Sequence, residues 1–399
     1  MNILFLTLLE FESIKQRNLY TDLLREFEKN GHKLYVVSPT ERRNKQKTYV
    51  VKEDNTTILR LKIGNIQKTN LIEKGITTLT LESAYVSGIK KYFKDVKFDL
   101  VMYSTPPITF SKAVNFVKKR DGAKTYLLLK DINPQNSVDL GMLTKTGIKG
   151  IIYKVFRNKE KKLYEVSDRI GCMSQANVEY VVKHNKDVDK SIVEVCPNSV
   201  EPIDMSASEE QRIQLRTKYN LPLDKKIFVY GGNLGKPQGI DFLIKCLKKA
   251  SDTDAYFLIV GDGTEYSKLE KFVQEEQPHN VKVMKRLPKE DYDKMIGSCD
   301  VGMIFLDYRF TIPNYPSRLL SYLQAGIPVL CVTDEATDMG DFVKSNSVGD
   351  FCYSNDENAF VEKVNALSQL DIDKEKVFQV LKDNYDVKDS YQIIMRSMQ

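Results

Sequence analysis

Short apolar stretches alternate with amphipathic helical segments along the whole chain, and this alternation constrains the fold more than any other feature of the sequence. In the first half the predicted strands are 2–8, 33–38, 99–103 and 124–129, and the predicted helices are 19–30, 83–93, 111–120, 147–166 and 177–184. Because parallel strands need helical crossovers that cover both faces of the sheet, this pattern predicts a parallel, doubly wound α/β sheet.

The second half repeats the pattern. Its predicted strands are 227–230, 256–260, 281–284, 301–306 and 328–332, and its predicted helices include 239–250 and 317–324. A chain of 399 residues is too long for one ordinary core, so two Rossmann-like domains are expected, at 1–200 and 201–375. A proline-containing linker is predicted at 195–224, and a helix within 376–399 is expected to cross back to the first domain. Two such domains are expected to face each other across a cleft that holds the active site.

Composition and residue spacing exclude several classes of protein. Hydrophobic residues make up 42% of the chain and charged residues 29%, which is typical of a folded globular protein. No apolar run reaches the roughly 18 residues that a membrane-spanning helix needs. The apolar start is short and is followed by Glu10 and Glu12, so we predict a buried strand rather than a signal peptide. The six cysteines form no CxxC pair and the three histidines lack metal-ligand spacing, so we expect reduced thiols and no metal.

Charge is distributed unequally along the chain. Residues 1–200 carry 35 lysines and arginines against 22 acidic residues, which leaves 25 against 32 for the remainder. A basic first half and an acidic second half favour two domains that meet different partners. The basic half suits nucleic acid, an anionic membrane surface or an acceptor that carries a diphosphate.

A glycine-rich segment, 230–239, follows a predicted strand and precedes a predicted helix. Glycines at such a turn allow the backbone to approach a ligand closely, and the helix N-terminus that follows attracts phosphate. The spacing is not that of the GxGxxG dinucleotide fingerprint. A tight strand-to-helix turn without a ligand accounts for this segment equally well.

A second segment, 310–329, carries the signal that points to an anion. Pro316 and Ser317 suit the first turn of a helix, where Arg318 adds a guanidinium, and Arg309 lies a few residues upstream. This combination predicts a diphosphate site. The alternative is a capped core helix with a solvated arginine.

Taken together, these segments resemble the retaining, two-domain (GT-B) sugar transferases of glycosyltransferase family 4. The bacterial branch that they most resemble includes the N-acetyl-L-fucosamine transferases of O-antigen and capsule synthesis. The matching residues are Gly232, Asn233, Gly235, Gln238, Gly239, Gly261, Asp262, Gly263, Pro316, Ser317, Arg318, Tyr322, Gly326 and Pro328. The first half contributes the similar segments 104–107, 130–135 and 196–200.

The resemblance implies transfer of a sugar from a UDP-sugar donor to a lipid-diphosphate-linked glycan, with retention and without a metal or other cofactor. An N-acetylated amino sugar fits the nearest branch. The implied catalytic residues are Asp131, Arg318 and Lys236. The implied donor-binding residues are Gly232, Asn233, Gly235, Gln238, Gly261, Arg286, Arg309, Pro316, Ser317, Ser321 and Asp338, and the acceptor-binding residues are Glu10, Glu12, Ser104 and Lys130.

The chain departs from the wider family at two places. Asn233 and Gln238 stand where the wider family has an arginine and a lysine that hold the diphosphate, and Pro313 and Ser321 replace two glutamates. The resemblance therefore leaves phosphate binding to Lys236, Arg309 and Arg318, and leaves ribose binding to Ser321 or Asp338. In the first half, the alternative for Asp131 is a loop aspartate that caps its own turn, and the alternative for Glu10 and Glu12 is a solvated loop.

The segment 148–163 combines an apolar side with many basic residues. Ile148, Ile151, Ile152, Val155 and Phe156 share one side at helical spacing, and lysines and arginines occupy the remainder. Such a helix suits the surface of an anionic membrane, which predicts a cytoplasmic protein attached to the inner leaflet. The alternative is a basic-surfaced helix that packs on the core.

Three other functions fit parts of the pattern. A nucleotide-sugar 2-epimerase shares the expected fold, but the chain lacks the acidic and histidine cluster that such an enzyme uses. A nucleic-acid-binding protein fits the basic half, but no nucleic-acid module or aromatic interleaving is recognisable, so no nucleic-acid partner is expected. A dehydrogenase is disfavoured by the missing GxGxxG motif.

Overall fold

The computed structural model describes residues 1–66, 69 and 71–398, without the side chains of 71, 72 and 74–76. The chain divides into two compact units. The first unit consists of Met1–Glu201 with Val387–Gln399, and the second of Pro202–Asp386. Residue 399, which ends the predicted crossing segment 376–399, lies outside the described residues.

The first unit is a mixed sheet covered by helices. Its strands are β1 (Asn2–Leu6), β2 (Lys33–Glu41), β3 (Tyr49–Glu53), β4 (Thr56–Ile63), β5 (Leu100–Ser104), β6 (Lys124–Leu129), β7 (Arg169–Cys172) and β8 (Val193–Val195). Its helices are α1 (Leu19–Lys29), α2 (Leu71–Tyr92), α3 (Ser111–Asp121), α4 (Gln135–Asp139), α5 (Gly147–Val166), α6 (Gln175–His184) and α15 (Val387–Arg396). The strand order is β3-β4-β2-β1-β5-β6-β7-β8, and every pair is parallel except β3 with β4.

The second unit is a fully parallel sheet. Its strands are β9 (Lys226–Asn233), β10 (Ala255–Asp262), β11 (Val281–Lys285), β12 (Val301–Phe305), β13 (Val329–Thr333) and β14 (Gly349–Tyr353). Its helices are α7 (Glu209–Lys218), α8 (Ile240–Lys249), α9 (Tyr266–Glu276), α10 (Lys289–Ile296), α11 (Arg318–Gln324), α12 (Met339–Ser345), α13 (Glu357–Ser368) and α14 (Lys374–Tyr385). The order β11-β10-β9-β12-β13-β14 is doubly wound. The predicted fold class, two Rossmann-like α/β units, is confirmed.

Burial on both faces explains why these strands form. The side chains of β5 and β12 are buried along their whole length, as expected where helices cover both faces of a parallel sheet. The helices are amphipathic in turn. In α1, Leu24 and Phe27 are buried, and the side chain of Asn18 accepts hydrogen bonds from the backbone at the first turn.

The strand order locates the position in each sheet where ligands are expected. In the first unit the order reverses between β1 and β5, and in the second unit it reverses between β9 and β12. In open α/β sheets, ligands bind beyond the carboxyl ends of the strands at such a switch point. The loop after β1 and the turn after β9 therefore occupy the most favourable positions for binding.

Two sequence-based predictions, the linker at 195–224 and the crossing segment at 376–399, are wrong in part. The predicted linker at 195–224 contains α7, which is fastened to the second unit because Arg216 is buried and donates hydrogen bonds to Ser298 and Asp300. In the segment 376–399, α14 packs against α11 of the second unit, and α15 packs against α1 of the first unit.

Other elements differ from the sequence-based prediction. Helix α2 begins at Leu71 rather than 83, and strands β3, β4, β7, β8 and β14 were not predicted. The six cysteines are buried as free thiols. Within the described part of the chain, no helix is both long enough and apolar enough to cross a bilayer.

Gly302, in β12, gives a test of how α11 packs on the sheet. A Cβ at this position would lie 2.3 Å from Cγ of Tyr322, which is fully buried. Because the ring has no free space, Gly302→Ala should lower the free energy of unfolding of the second unit by about 1–3 kcal/mol. Urea denaturation followed by circular dichroism measures the change.

Gly88 in α2 is the matched control. A Cβ there would lie 3.1 Å from a methyl group of Leu61, the mobile end of a side chain, and alanine favours the helix. Gly88→Ala should therefore leave stability nearly unchanged. Equal effects of the two substitutions would contradict this account of Gly302.

Candidate functional site

The turn after β9 is shaped by glycines with positive φ. Gly232 has a φ of +127° and Gly239 a φ of +57°, values that side-chain-bearing residues rarely adopt. Between them, Lys236–Gln238 forms a short 3-10 turn, and α8 follows directly. The predicted strand–turn–helix arrangement is therefore present.

The glycines of this turn admit parts of the protein itself. A Cβ on Gly231 would lie 1.6 Å from the hydroxyl of Tyr292, and a Cβ on Gly232 would lie 3.2 Å from Nη2 of Arg318. A Cβ on Gly261, in the neighbouring turn, would lie 2.1 Å from the carbonyl oxygen of Gly232. Close packing of tyrosine, arginine and backbone thus accounts for these glycines without a ligand.

Arg318 is the first residue of α11 and lies half-buried at the end of β9. Its Cζ lies 4.3 Å from the centroid of the Tyr230 ring, a cation–π contact. Its Nη1 is buried and has no hydrogen-bond partner among the described residues, and no described carboxylate forms an ion pair with it. A half-buried cation without a counter-charge is costly, so this position favours an anionic ligand.

Asn233 and Gln238, both predicted to bind the donor, are joined to each other by a hydrogen bond. Nδ2 of Asn233 donates a hydrogen bond to Oε1 of Gln238, at 2.9 Å, and the backbone N–H of Gly235 donates to the same oxygen, at 3.2 Å. These bonds close the turn. Lys236 projects from it, exposed to solvent.

Arg309 is already neutralised. Its Nε donates to Oδ1 of Asp307 at 2.8 Å and its Nη2 to Oδ2 at 2.7 Å, a bidentate ion pair in which Arg309 is largely exposed. The backbone N–H of Asp307 in turn donates to the carbonyl of Pro237, which places the pair beside the glycine-rich turn. An exposed arginine with its own carboxylate is a weaker candidate for phosphate than Arg318.

The remaining donor-binding candidates are more dispersed. Pro316 and Ser317 precede α11, Ser317 makes no side-chain cap, and Ser321 lies one helical turn farther along. Arg286 is exposed after β11. Asp338 directly precedes α12, after β13. Burial is the main cause of the raised pKa of Tyr315, and the negative charge of Asp338 adds to it, so Asp338 lies near that phenol.

In the first unit, three predicted residues lie together at the carboxyl ends of β5 and β6. The backbone N–H groups of Lys130 and Asp131 both donate to Oγ1 of Thr105, directly after Ser104. Nδ2 of Asn136 contacts both carboxylate oxygens of Asp131, at 3.0 and 3.1 Å. Burial raises the pKa of Asp131 to about 6, although these hydrogen bonds oppose the rise.

Lys130 has a structural task. Its Nζ donates to the backbone carbonyls of Cys196 and Pro197, at 3.1 and 3.2 Å, and burial lowers its pKa. The hydroxyl of Tyr20 lies nearby. Burial raises the pKa of Tyr20, and its polar neighbours are Ser104 and Asp131. Tyr20 thus joins this group, which sequence reasoning missed.

Glu10 and Glu12 follow β1, on the loop at the first unit's switch point. Oε1 of Glu10 accepts hydrogen bonds from Arg60 at 2.7 Å and from Asn44 at 2.8 Å, and Oε1 of Glu12 accepts one from Tyr49 at 2.8 Å. Arg60 is 1% exposed, and it also donates to the carbonyl of Phe11, at 2.7 Å. The two carboxylates are therefore held in place, which a purely solvated loop would not provide.

Helix α5 has an exposed apolar face in its first half. Ile148 is 83% exposed, Ile151 65%, Ile152 44% and Val155 49%, and the lysines at 149 and 154 lie between them and are exposed. The last turns of the same helix are buried on the first unit. The alternative, a basic-surfaced helix packed on the core, describes the last turns of α5, whereas the apolar side chains of its first half are exposed.

Some residues of the site carry no sequence signal. Tyr292, Tyr20 and Arg60 belong to no motif, and only their tertiary contacts reveal them. The described residues contain no group of three or more histidine, cysteine, aspartate or glutamate side chains with metal-binding geometry.

Among known protein families, one family model matches most of the second unit. Residues 211–379 match the family model described as glycosyl transferases group 1. This match begins within α7 and ends within α14, and it includes the glycine-rich turn and Arg318.

Relatives extend over more of the chain. It is 23% identical over 317 residues to the probable glycosyltransferase WbjE of Pseudomonas aeruginosa, which covers 78% of this chain and 76% of WbjE. It is 25% identical over 257 residues to the putative colanic acid biosynthesis glycosyl transferase WcaI of Escherichia coli K12, which covers 62% of this chain and 61% of WcaI.

A solved structure extends the likeness in fold to nearly the whole chain. It is the Escherichia coli structure described as trehalose-6-phosphate bound with UDP-2-fluoro glucose, with a TM-score of 0.73, 9% identity and coverage of 99% of this chain and 98% of that chain. The two-unit fold, the matched domain and the relatives together support a glycosyltransferase with the GT-B fold.

Proposed function

We propose that the protein is a retaining, metal-independent glycosyltransferase that moves an N-acetylated amino sugar from a UDP-sugar to a lipid-diphosphate-linked glycan. The product is a precursor of a capsule, O-antigen or exopolysaccharide. The naming of WcaI for colanic acid biosynthesis supports a polysaccharide product. The UDP-2-fluoro glucose in the Escherichia coli structure supports a UDP-sugar donor. The second unit binds the donor and the first unit binds the acceptor.

The observation that carries this proposal is the state of Arg318. It is half-buried, it lies on the ring of Tyr230, and no described carboxylate neutralises it. It also lies at the switch point of a fully parallel sheet, where anionic nucleotides are commonly bound. A sugar diphosphate supplies the counter-charge that the protein does not.

The other candidates receive secondary roles. Lys236 is exposed beside the same turn and adds a second cation to the diphosphate. Asn233 and Gln238 shape the turn, since their amides bond to each other. Arg309, paired with Asp307, adds little charge to the site.

The proposed reaction breaks the bond between the sugar's anomeric carbon and the diphosphate oxygen, and that oxygen keeps the electron pair. The acceptor hydroxyl attacks the oxocarbenium-like carbon from the same face, so configuration is retained. A diphosphate oxygen takes the hydroxyl proton. Arg318 and Lys236 oppose the growing negative charge on the leaving group, which is the main electrostatic contribution.

The acceptor hydroxyl is oriented by Asp131. Its carboxylate is partly buried and is held by Asn136, so one of its lone pairs is available to a hydroxyl donor. Lys130 anchors this loop through the carbonyls of Cys196 and Pro197. The carboxylates of Glu10 and Glu12 accept hydrogen bonds from more distant hydroxyls of the glycan.

The exposed face of α5 docks on the inner leaflet of an anionic membrane. Isoleucine and valine side chains enter the interface, and the neighbouring lysines contact lipid phosphates, each contributing about 1 kcal/mol near the surface. Charge supports this occupant, because residues 1–200 carry 35 basic against 22 acidic residues. A lipid-linked acceptor would be presented at the same surface.

Removing the guanidinium tests the donor site. Arg318→Ala should lower kcat by about 100-fold to 1,000-fold, because one charge-stabilising donor is lost from the transition state. Transfer of radiolabelled sugar from UDP-sugars to a membrane extract with lipid-linked glycans measures turnover, and circular dichroism checks the fold.

Arg309→Ala is the matched control for that variant. Because Asp307 already neutralises Arg309, its loss should change kcat by less than about threefold. Undiminished turnover in Arg318→Ala, or an equal loss in both variants, would refute the assignment of Arg318.

Acidity tests the role of Asp131. Since its pKa is raised to about 6 and its carboxylate is the orienting form, turnover should fall as pH drops through about 6. Asp131→Asn should be slow at every pH and lack this inflection. A pH–rate profile of both proteins, over roughly two pH units on either side of that pKa, provides the measurement.

Stability provides the control for Asp131→Asn. Folding raises the pKa of Asp131, so the folded protein holds this proton more tightly than the unfolded chain does. Ionisation of Asp131 above about pH 6 therefore lowers the free energy of unfolding. The asparagine variant should therefore melt no lower than the parent protein above that pH. The same inflection in both proteins would exclude Asp131 as its origin.

Vesicle flotation tests the membrane face. Ile148→Glu combined with Ile151→Glu should reduce binding to phosphatidylglycerol-containing vesicles by at least about tenfold, because two exposed apolar side chains are lost and negative charge is added. Ile213→Glu is the control, since Ile213 is 46% exposed on α7 of the second unit. Failure of the parent protein to float at low salt would remove this part of the proposal.

A further inference from the structure

A buried arginine lies beneath the loop that follows β1. Arg60, on β4, is 1% exposed, and its guanidinium contacts this loop at two places. Nη2 donates a hydrogen bond to Oε1 of Glu10, at 2.7 Å, and Nη1 donates to the carbonyl oxygen of Phe11, at 2.7 Å. Because β2 separates β4 from β1 in the sheet, only the tertiary fold brings this cation to the loop.

Ser38, on β2, completes the attachment of the loop. Its hydroxyl donates to the carbonyl oxygen of Leu9, at 2.8 Å, and accepts hydrogen bonds from the N–H of Phe11, at 3.2 Å, and from Nη1 of Arg60, at 2.9 Å. The backbone is therefore fixed on both sides of Glu10. A loop that is held at these points presents the side chain of Glu10 in a defined direction.

Glu10 is held through one of its two carboxylate oxygens. Oε1 accepts the hydrogen bond from Arg60 and a second one from Nδ2 of Asn44, at 2.8 Å. Oε2 accepts no hydrogen bond from the residues that the structure describes, and the side chain is 38% exposed, so a ligand can reach the carboxylate. One oxygen positions the side chain, and the other remains available.

Stability alone does not explain a guanidinium at this position. Desolvation of a buried ion pair offsets most of its attraction, and apolar residues of similar volume often stabilise a fold equally well. Ile58, two positions earlier on the same face of β4, is fully buried, so a hydrocarbon side chain suits this face of the strand. Packing therefore does not account for Arg60.

We infer that Arg60 is a positioning residue for the acceptor, which acts by holding Glu10 in the direction that accepts a hydrogen bond from the glycan. This inference rests on the proposed function. The loop lies beyond the carboxyl end of β1, at the switch point of the first sheet, where open α/β sheets bind their ligands. Arg60 itself lies beneath the loop and does not touch the acceptor.

The chemistry of the loop selects the part of the acceptor that it binds. An ionised carboxylate accepts hydrogen bonds and donates none, so its ligand must carry donors. Glu10 and Glu12 bring two negative charges to the loop, and Arg60 brings one positive charge. A diphosphate is anionic and lacks donors, so this loop disfavours it. Sugar hydroxyls and acetamido N–H groups fit, which assigns Glu10 to the glycan rather than to the lipid diphosphate.

Arg60→Lys tests the inference, because lysine keeps the charge but lacks the planar fork that spans Glu10 and Phe11. The apparent KM for the lipid-linked glycans of a membrane extract should rise about tenfold, since a hydrogen bond between charged groups is lost. The KM for the UDP-sugar and the affinity for UDP in titration calorimetry should stay unchanged. A purely structural role would instead lower the active fraction, and therefore kcat, without changing either KM.

Arg120→Lys is the matched control. Arg120 also joins a carboxylate to loop carbonyls of the first unit, because it donates to Asp121, at 2.7 Å, and to the carbonyl oxygens of Phe93 and Val96, at 3.2 and 2.8 Å. These contacts precede β5, at the amino edge of the sheet, so the acceptor KM should not change. An equal rise in both variants, or no rise in Arg60→Lys, would overturn the inference.

Ser38→Ala is a second variant for the case that Arg60→Lys does not fold. It removes the hydroxyl that holds Leu9 and Phe11, and it should raise the acceptor KM by a smaller factor, about threefold, because neutral hydrogen bonds are weaker than charged ones. An acceptor KM equal to that of the parent protein would then overturn the inference. Circular dichroism checks the fold of each variant.

A double-mutant cycle shows whether Arg60 acts through Glu10. Glu10→Ala should raise the acceptor KM, and Arg60→Lys should add little to that rise in the Glu10→Ala background. Additive losses would overturn the inference and leave the proposed function standing. Absence of sugar transfer by the parent protein would instead overturn the proposed function and, with it, this inference.

Discussion

Two consecutive residues without side chains at the end of β9 are the constraint on which the candidate donor site depends. Gly231 leaves room for the hydroxyl of Tyr292, and Gly232 leaves room for the guanidinium of Arg318. A Cβ at Gly231 would expel Tyr292, and at Gly232 the φ of +127° disfavours any side chain. The result is an uncompensated cation at the switch point of a parallel sheet, where open α/β proteins bind their ligands.

The sequence correctly predicts those helices and strands in which the apolar residues along the chain are also the buried ones. The predicted helix at 147–166 has the bounds of α5, and the predicted strand at 124–129 those of β6. Strand β4 was missed because Arg60 interrupts its apolar residues, although this arginine is buried. Its burial depends on Glu10, a partner distant in sequence, so local pattern alone does not reveal the strand.

The helix α7 was missed for a different reason. Its sequence does carry a helix signal, but nearby prolines favoured a linker. Ser208 and Gln211 form a capping box, a pattern that marks a helix start. The prolines at 202 and 222 favoured a linker instead. A position at the end of a strand predicts which polar residues lie near a switch point, but it does not predict their partners. Only the tertiary contacts show that Arg309 pairs with Asp307 and that Asn233 bonds to Gln238, and these contacts make both residues weaker candidates for binding phosphate.

The net charge of the second unit explains why a donor site at Arg318 would depend on local structure. Residues 202–386, which form the second unit, carry 23 basic against 30 acidic residues, so the average field of this unit repels a diphosphate. Salt screens that repulsion within about 10 Å, whereas a half-buried cation is screened far less. Under the proposed function, Arg318 attracts a phosphate because no carboxylate among the described residues cancels its charge. The ring of Tyr230 supports the guanidinium through a cation–π contact, and this contact brings no opposing charge to the site.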